Sequence, residues 1–453
     1  MERDKSLDIS AIAIPFQIGQ REDSWLTQVK QQLSTILHGG LASGFSHWGR
    51  NARVLVVTEG LWGIPMSWVF FYRPIFLNQV IGLTEVQIGF LSAVLTFSTI
   101  ISPLAGGYLA DRFGRKRVLM LFDTPSWLSS VAIWYWTRSM LFAFVAYVLE
   151  GLVSVIYSVW ECMLVEDTAP EYRSGIYGTI SAIYSVGSLS TPVAGYVIGT
   201  LGIDAGTRTL FLLTFLCLVP MFIIRLFFLR ETEFGKQIMK ERSFTGLNGY
   251  KDSLSVIRRN RTILVLLMMS MIGSFYYASI TYRPLFLINE NGLGLSDELA
   301  SLVPAASSIS SLIMASFVVP KIASKASYIK TLVSGYGLGC VALLWLSLSP
   351  KDNLLSAVLS SALLGVFGAT AFSVFRAFLT NEIEAADSKA RAKILSITVT
   401  LTSLLGLPAP ILIGYLFSLN PRIPFMVVSA TLAVSLAMLL SITKKQEKAT
   451  SHG

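Results

Sequence analysis

Long apolar runs alternate with short polar segments along most of this chain. The runs begin near Val54 and end near Ile442, and we count twelve of them. Each is close to the roughly 20 residues that an α-helix needs to cross the hydrocarbon core of a bilayer. The pattern therefore predicts an all-α membrane protein with twelve transmembrane helices.

The composition supports the same class. Apolar residues make up 53% of the chain and charged residues 14%, whereas soluble domains carry about 25% charged residues. A soluble globule of this size could not bury so much apolar surface.

Lysines and arginines lie mostly in the segments on the side of the two termini. Outside the runs, the other side holds only Arg138, Arg208, Lys351 and Arg422. The positive-inside rule then places both termini in the cytoplasm. This bias explains the net charge of +9 without a nucleic-acid partner, and we expect a multi-pass protein of the cell membrane.

A short motif occurs twice. Residues 72–77 read YRPIFL and residues 282–287 read YRPLFL, at an offset of 210, and each copy ends an apolar run. A second pair, Glu166 and Glu384, follows the fourth and tenth runs at an offset of 218. Equivalent features in the same order and orientation indicate a parallel repeat. The fold class is therefore predicted to be two pseudo-symmetric bundles of six helices.

The predicted organisation has five parts. They are a cytoplasmic N-terminal segment (1–53), an N-terminal bundle (54–229), a basic cytoplasmic linker (230–261), a C-terminal bundle (262–442) and a cytoplasmic tail (443–453). Within the first part, residues 24–37 carry apolar side chains at helical spacing. We expect this stretch to form an amphipathic helix along the inner leaflet, and binding to a partner is the alternative.

The loop after the second run carries a family signature. Residues 107–119 read GYLADRFGRKRVL, which resembles the loop between helices two and three of the major facilitator superfamily. The resemblance extends from about Arg53 to Ile442. It implies two bundles that rock about a site near the membrane midplane and open alternately to either side.

The resemblance also assigns a gate motif on the cytoplasmic side. Basic residues of the loop could reach the acids that follow the fourth run, which would give a charge latch that stabilises the outward-open arrangement. Plain positive-inside charge is the alternative. The residues of the predicted gate motif are Gly107, Asp111, Arg112, Gly114, Arg115, Lys116, Glu166, Asp167 and Arg173.

Antiporters of this superfamily often have a glycine and proline pattern in helix five, which residues 187–196 (GSLSTPVAGY) match in part. Proton-driven members often carry an arginine in helix four, four residues before a glycine. Tyr147 stands there, before Gly151. The motif pattern is closest to prokaryotic efflux members, while the tyrosine departs from their usual scheme of proton coupling.

Ionisable residues inside the runs are candidates for the transport pathway, because a charge in hydrocarbon costs about 2.5–3.5 kcal/mol or more. In the fourth run Glu150, Ser154, Tyr157 and Glu161 form one polar stripe at helical spacing. Glu150 is the deepest acid. Because burial disfavours the charged form of a carboxyl group, Glu150 suits a role in which it gains and loses a proton during transport. A structural hydrogen bond is the alternative.

The other pathway candidates lie in three different runs. They are Glu59, Trp62, Arg73, Arg283 and Arg376. Arg73 and Arg283 are either interfacial anchors or cationic groups that flank a central pathway for anionic cargo. Arg376 is expected to pair with Glu161 across the pseudo-axis. Glu59 and Asp123 lie about one turn inside the membrane, and Arg225 is expected to extend to the membrane surface.

The leading hypothesis is a secondary transporter that exports a small organic or amphipathic solute in exchange for protons. Uptake of a metabolite or organic anion, by symport or facilitated diffusion, is one alternative, and a transporter-like sensor is another. An enzyme is not expected, since the chain lacks H-E-x-x-H, a phosphate-binding loop and an intramembrane histidine. We expect no metal, cofactor or disulfide, and a monomer in the bilayer.

Overall fold

The computed structural model describes residues 45–241, 250–319, 322, 324–386 and 391–450. The predicted amphipathic helix at residues 24–37 lies outside these ranges. The described chain is almost entirely helical. Its helices are α1 (Arg50–Gln79), α2 (Glu85–Phe113), α3 (Arg115–Thr124), α4 (Ser130–Trp136), α5 (Met140–Gly151), α6 (Val153–Val165), α7 (Pro170–Leu189), α8 (Thr191–Leu201), α9 (Ile203–Phe228), α10 (Glu233–Glu241), α11 (Tyr250–Arg259), α12 (Arg261–Ile280), α13 (Arg283–Ile288), α14 (Asp297–Ala300), α15 (Val303–Ile313), α16 (Lys325–Leu348), α17 (Leu354–Ala369), α18 (Phe375–Ala386), α19 (Arg391–Gly406), α20 (Ala409–Leu419) and α21 (Ile423–Thr450).

Several long membrane segments contain local irregularities. Turns of π-helix at Pro125–Ser129 and Thr370–Val374 join α3 to α4 and α17 to α18, and a third, Met314–Val318, follows α15. Nine helical segments of the described chain are long and apolar enough to cross a membrane. The all-helical membrane fold is confirmed, while the number twelve stays a prediction.

The repeated hexapeptide adopts two local structures. In the first half it continues α1, with Pro74 inside the helix. In the second half α12 ends at Ile280, and Pro284 lies in the first turn of the new helix α13. The same motif therefore continues a helix in the first copy and begins a new helix in the second, since neighbouring helices let membrane helices tolerate an internal proline.

Helices α1–α9 form one bundle and α12–α21 a second, with α10 and α11 in the linker between them. We call the side where α1 begins the terminal face, and the side where α1 ends the opposite face. At the opposite face Tyr72 Oη donates to the carbonyl oxygen of Asp297 at 2.9 Å. Reciprocally, Tyr282 Oη donates to the carbonyl oxygen of Glu85 at 2.8 Å. Both tyrosines are 0% exposed, so the two copies of the motif join the halves.

Glycines allow the helices of the two halves to approach at this same face. A Cβ on Gly414 of α20 would lie 2.5 Å from the Glu85 carbonyl oxygen, and one on Gly89 of α2 would collide with the Pro410 carbonyl. Gly195 of α8 is likewise pressed against Ser301 of the second half. Small residues permit such close backbone contact between membrane helices. The molecule is therefore closed on the opposite face.

Candidate functional site

Two adjoining cavities lie on the terminal side of this closure. The first, which we call the central cavity, has a volume of about 310 Å³ and is lined by both halves, including Arg73, Tyr147, Tyr277 and Ser403. The second, the aromatic cavity, has a volume of about 400 Å³ and is lined by the second half. Tyr277, Thr402 and Ser403 line both. Volumes of roughly 300–1,000 Å³ are typical of sites for small molecules.

Arg73 and Glu150 form a buried ion pair beside the central cavity. Arg73 Nη1 lies 2.6 Å from Glu150 Oε2, and the two residues are 7% and 4% exposed. The guanidinium also lies 4.7 Å from the Tyr147 ring and 5.2 Å from the Trp134 ring. Glu150 is therefore deep, as its position in the sequence indicated, and its charge is matched by one arginine. Tyr147 places an aromatic face against that arginine.

A second buried cluster joins four helices of the first half. Arg225 of α9 contacts Glu59 of α1 at 2.8 Å and Asp123 of α3 at 3.0 Å. Its Nε donates to Thr58 Oγ1, and Tyr184 Oη of α7 donates to Glu59 at 2.8 Å. The expectation that Arg225 extends to the membrane surface is wrong, because the residue is 3% exposed and bound to two carboxylates.

The charges of this cluster do not cancel. Two carboxylates face a single guanidinium, so full ionisation would leave one net negative charge in a buried site. Coupled carboxylates in such a place share a proton more readily than isolated ones. The sequence did mark both acids as lying within the runs, but it did not indicate that Arg225 would bring them together.

The rest of the polar stripe lies apart from these pairs. Ser154 Oγ donates to the Gly151 carbonyl of its own chain segment, and Tyr157 is 55% exposed. Glu161 is partly buried and has no ion pair with a described residue.

Trp62 of α1, another candidate for the transport pathway, packs against Trp127, with ring centroids 5.0 Å apart.

The second half places two arginines without acidic partners among the described residues. Arg376 lines the aromatic cavity, with its guanidinium carbon 5.5 Å from the Phe372 ring. The expected pair between Arg376 and Glu161 is not formed. Arg283 lies 4.9 Å from the Tyr276 ring, and its Nε and Nη2 atoms are buried without hydrogen-bond partners.

The predicted gate motif lies at the terminal face, at the junction of α2 and α3. Arg115 contacts Glu166 at 2.8 Å, and Thr232 donates to the same carboxylate at 2.6 Å. Glu231 accepts the backbone N–H groups of Arg115 and Lys116 at the first turn of α3, where a helix N-terminus favours an anion. The sequence reasoning missed Glu231, whose only signal was an acid just after the sixth run.

Gly114 makes that arrangement possible. Its φ is +93°, and a Cβ there would lie 2.6 Å from Glu231 Oε2. A side chain would therefore be strained and would displace the carboxylate. Gly107 and Asp111 lie in the last turns of α2, and Asp111 is exposed.

The remaining residues of the motif have separate contacts. Arg112 is exposed and donates to Tyr108 Oη at 2.8 Å. The expected contact of its side chain with Glu166 or Asp167 is therefore not formed. Arg173 Nε donates to the Thr168 carbonyl oxygen at 3.0 Å. Asp167 accepts from Asn51 at 3.0 Å, while burial and the neighbouring Glu166 raise the pKa of Asp167. The role of this motif as a gate stays a prediction.

Comparisons with known proteins give a consistent family. The model of the Major Facilitator Superfamily matches residues 55–406. Multidrug resistance protein 2 of Bacillus subtilis (strain 168) is 24% identical over 82% of this chain and 90% of that protein. A Na(+), Li(+), K(+)/H(+) antiporter of Planococcus maritimus is 23% identical over 50% of this chain and 55% of that protein.

Multidrug resistance protein MdtG of Salmonella paratyphi A is 30% identical over 41% of this chain and 46% of that protein. The chain thus matches about half the length of the last two relatives.

Solved structures share the fold at low identity. The nucleoside transporter NupG has a TM-score of 0.66 at 12% identity, covering 87% of this chain and 98% of that one. The xylose transporter XylE from E. coli, in a partially occluded inward open conformation, has a TM-score of 0.63 at 16% identity, with 87% and 98% covered. The paired bundles, the central cavity between them and the matched family model lead to one conclusion: this chain is a multi-pass membrane protein that belongs to the Major Facilitator Superfamily.

Proposed function

We propose that this transporter exports a small organic or amphipathic solute across the cell membrane in exchange for protons, by alternating access. The observation that carries the proposal is the central cavity, which both halves line and which the reciprocal tyrosine bonds close on one face. With both termini in the cytoplasm, this conformation would load cargo from the cytoplasm. The names of two relatives, a multidrug resistance protein and a cation/H(+) antiporter, agree with export by exchange.

The coupling proton would bind to the cluster of Glu59, Asp123 and Arg225. One carboxylate there is in excess over the guanidinium, so a proton can bind one acid while Arg225 keeps the other as an ionised partner. Protonation of Glu150 would instead remove the only acid paired with Arg73. Tyr184 donates to Glu59 and is 38% exposed, so its hydroxyl group would connect the cluster to the surroundings.

The test is transport by the full chain in proteoliposomes with an imposed pH gradient and a panel of organic anions, cations and neutral amphipaths. For the cargo that moves, we expect Asp123→Asn to retain exchange of labelled for unlabelled cargo but to lose acceleration by the gradient. Glu290→Gln, at an exposed acid in a loop, is the matched control and should behave as wild type.

Three other results would each contradict one part of the proposal. Cargo that moves in the same direction as protons would indicate uptake by symport. Binding without translocation for every member of the panel would indicate a sensor. If Glu150→Gln alone loses the pH drive while Asp123→Asn keeps it, the proton is carried by Glu150, as the sequence suggested.

A further inference from the structure

The charges in the interiors of the two halves differ in sign. In the first half every buried arginine of the membrane interior described above faces a carboxylate: Arg73 faces Glu150, and Arg225 faces two acids. In the second half Arg283 and Arg376 have no carboxylate of the described residues within 4.0 Å. The interior of the second half is therefore cationic.

The internal repeat shows where a partner acid is missing. Arg73 and Arg283 are equivalent at the offset of 210, and the offset of 218 that relates helix ends after the fourth and tenth runs places Gly368 at the position of Glu150. A Cβ on Gly368 would meet nothing within 4 Å. The second half thus keeps the arginine of the pair but replaces its glutamate by a glycine beside open space.

Arg376 is the accessible member of the two cations. It lines the aromatic cavity and is exposed, whereas Nε and Nη2 of Arg283 are buried. The other lining residues are aromatic, aliphatic or hydroxyl-bearing, and no aspartate or glutamate is among them. Phe372 places a flat apolar surface next to the guanidinium, and Tyr277 lines the same cavity.

We propose that the cargo of this transporter is an organic anion with an apolar, preferably aromatic, body, whose acidic group binds Arg376 while its body lies in the aromatic cavity. This inference rests on the proposed transport function and names its substrate class. A guanidinium binds a carboxylate or sulfonate through two parallel hydrogen bonds, so arginine selects the geometry of such a group as well as its charge. The aromatic walls select the body by burial of apolar surface.

The two halves would then have different tasks. The anion would bind the cationic second half, and the proton would bind the cluster of Glu59, Asp123 and Arg225 in the first half. The two cavities adjoin at Tyr277 and Ser403, so an anion at Arg376 would lie next to the surface where the halves meet.

The test compares three probes of one shape with the purified full chain in detergent, by isothermal titration calorimetry. The probes are 1-naphthalenesulfonate, its neutral sulfonamide and the cation 1-naphthylmethylammonium. We expect the sulfonate to bind most tightly. In Arg376→Gln its Kd should rise about 10- to 100-fold, the range for loss of a hydrogen bond to a charged group, while the Kd of the sulfonamide should change less than about 3-fold.

Two variants make the result specific. Arg376→Lys keeps the charge but not the paired geometry, so it should recover part of the affinity for the sulfonate. Lys351→Gln removes an exposed cation near the opposite face and should leave all three affinities unchanged. Size-exclusion profiles of the variants establish that each is folded.

Several outcomes would overturn the inference. These are failure of the sulfonate to bind, equal affinity for the sulfonate and the sulfonamide, preference for the ammonium probe, or an equal loss for all probes in Arg376→Gln. The proposed function is tested separately from this inference. Anion binding without pH-driven transport would contradict proton exchange but would not contradict the anion site. Proton-driven transport of neutral or cationic cargo alone would contradict the anion site and leave exchange intact.

Discussion

The reciprocal tyrosines should control how often the opposite face is closed. We predict that Tyr72→Phe and Tyr282→Phe each shift the conformational equilibrium toward opening at that face, and that the double variant shifts it further. Each substitution removes only a hydroxyl group. The ring that fills the buried position stays, so packing within each half should be preserved.

The size of the shift follows from the contacts. Tyr72 makes one hydrogen bond across the halves at 2.9 Å, and Tyr282 makes one at 2.8 Å with a longer contact to Pro410 within its own half. A single hydroxyl proton supports about one good bond, whose net value is about 1 kcal/mol. One substitution should therefore change the ratio of closed to open molecules about 5-fold, and both together about 30-fold if the effects add.

Double electron–electron resonance measures this ratio. Spin labels on cysteines at Gln79 and Glu290, both exposed near the opposite face, report the distance between the halves. The three native cysteines, Cys162, Cys217 and Cys340, are first replaced by serine. Tyr196→Phe is the matched control, since that ring is 72% exposed and its hydroxyl bonds to no described residue.

The reasoning is refuted if the double variant has the same distance distribution as the control. It is also refuted if the closed population increases in either single variant, because loss of a bond made only in the closed state cannot stabilise that state.

Two further predictions concern packing and buried charge. Gly89→Ala should hold the opposite face open, because its Cβ would lie 2.7 Å from Tyr282 Oη and against the Pro410 carbonyl. Gly337→Ala is the control, since a Cβ there would meet open space and should not change the opening. The same spin labels test this prediction, and an unchanged distance in Gly89→Ala would contradict it. Arg225→Gln should lower the free energy of unfolding by about 3–5 kcal/mol, since it leaves two buried carboxylates without their cation, and adding Asp123→Asn should restore part of the loss. Thermal unfolding followed by tryptophan fluorescence in detergent measures both variants, and equal stability of Arg225→Gln and wild type would be inconsistent with the ion cluster.

Sequence reasoning was most successful for the fold and for the types of residue in the interior. Runs of apolar residues identified membrane helices because the bilayer requires about 20 of them per crossing. The same reasoning singled out Glu59, Arg73 and Glu150, since charges within such runs are expensive unless they face other protein groups. All three are buried in the structure. The sequence did not identify their ion-pair partners.

The sequence indicated no ion-pair partner for Glu150 and placed Arg225 at the membrane surface, yet the structure pairs Glu150 with Arg73 and Arg225 with two acids. The repeat relation suggested a pair of Arg376 and Glu161, which the structure does not contain.

The chain by itself determined its helical membrane class, its two-part repeat and the burial of Glu59, Arg73 and Glu150, because these depend on local composition and helical period. Only the tertiary structure decided which charges neutralise one another and which remain for a ligand. Arg73 and Glu150 are 77 positions apart, and Glu59 and Arg225 are 166 apart. Helical period places a residue on a face, but the neighbour of that face is set by how helices rotate and pack, which depends on small residues such as Gly89 and Gly414 distributed over both halves.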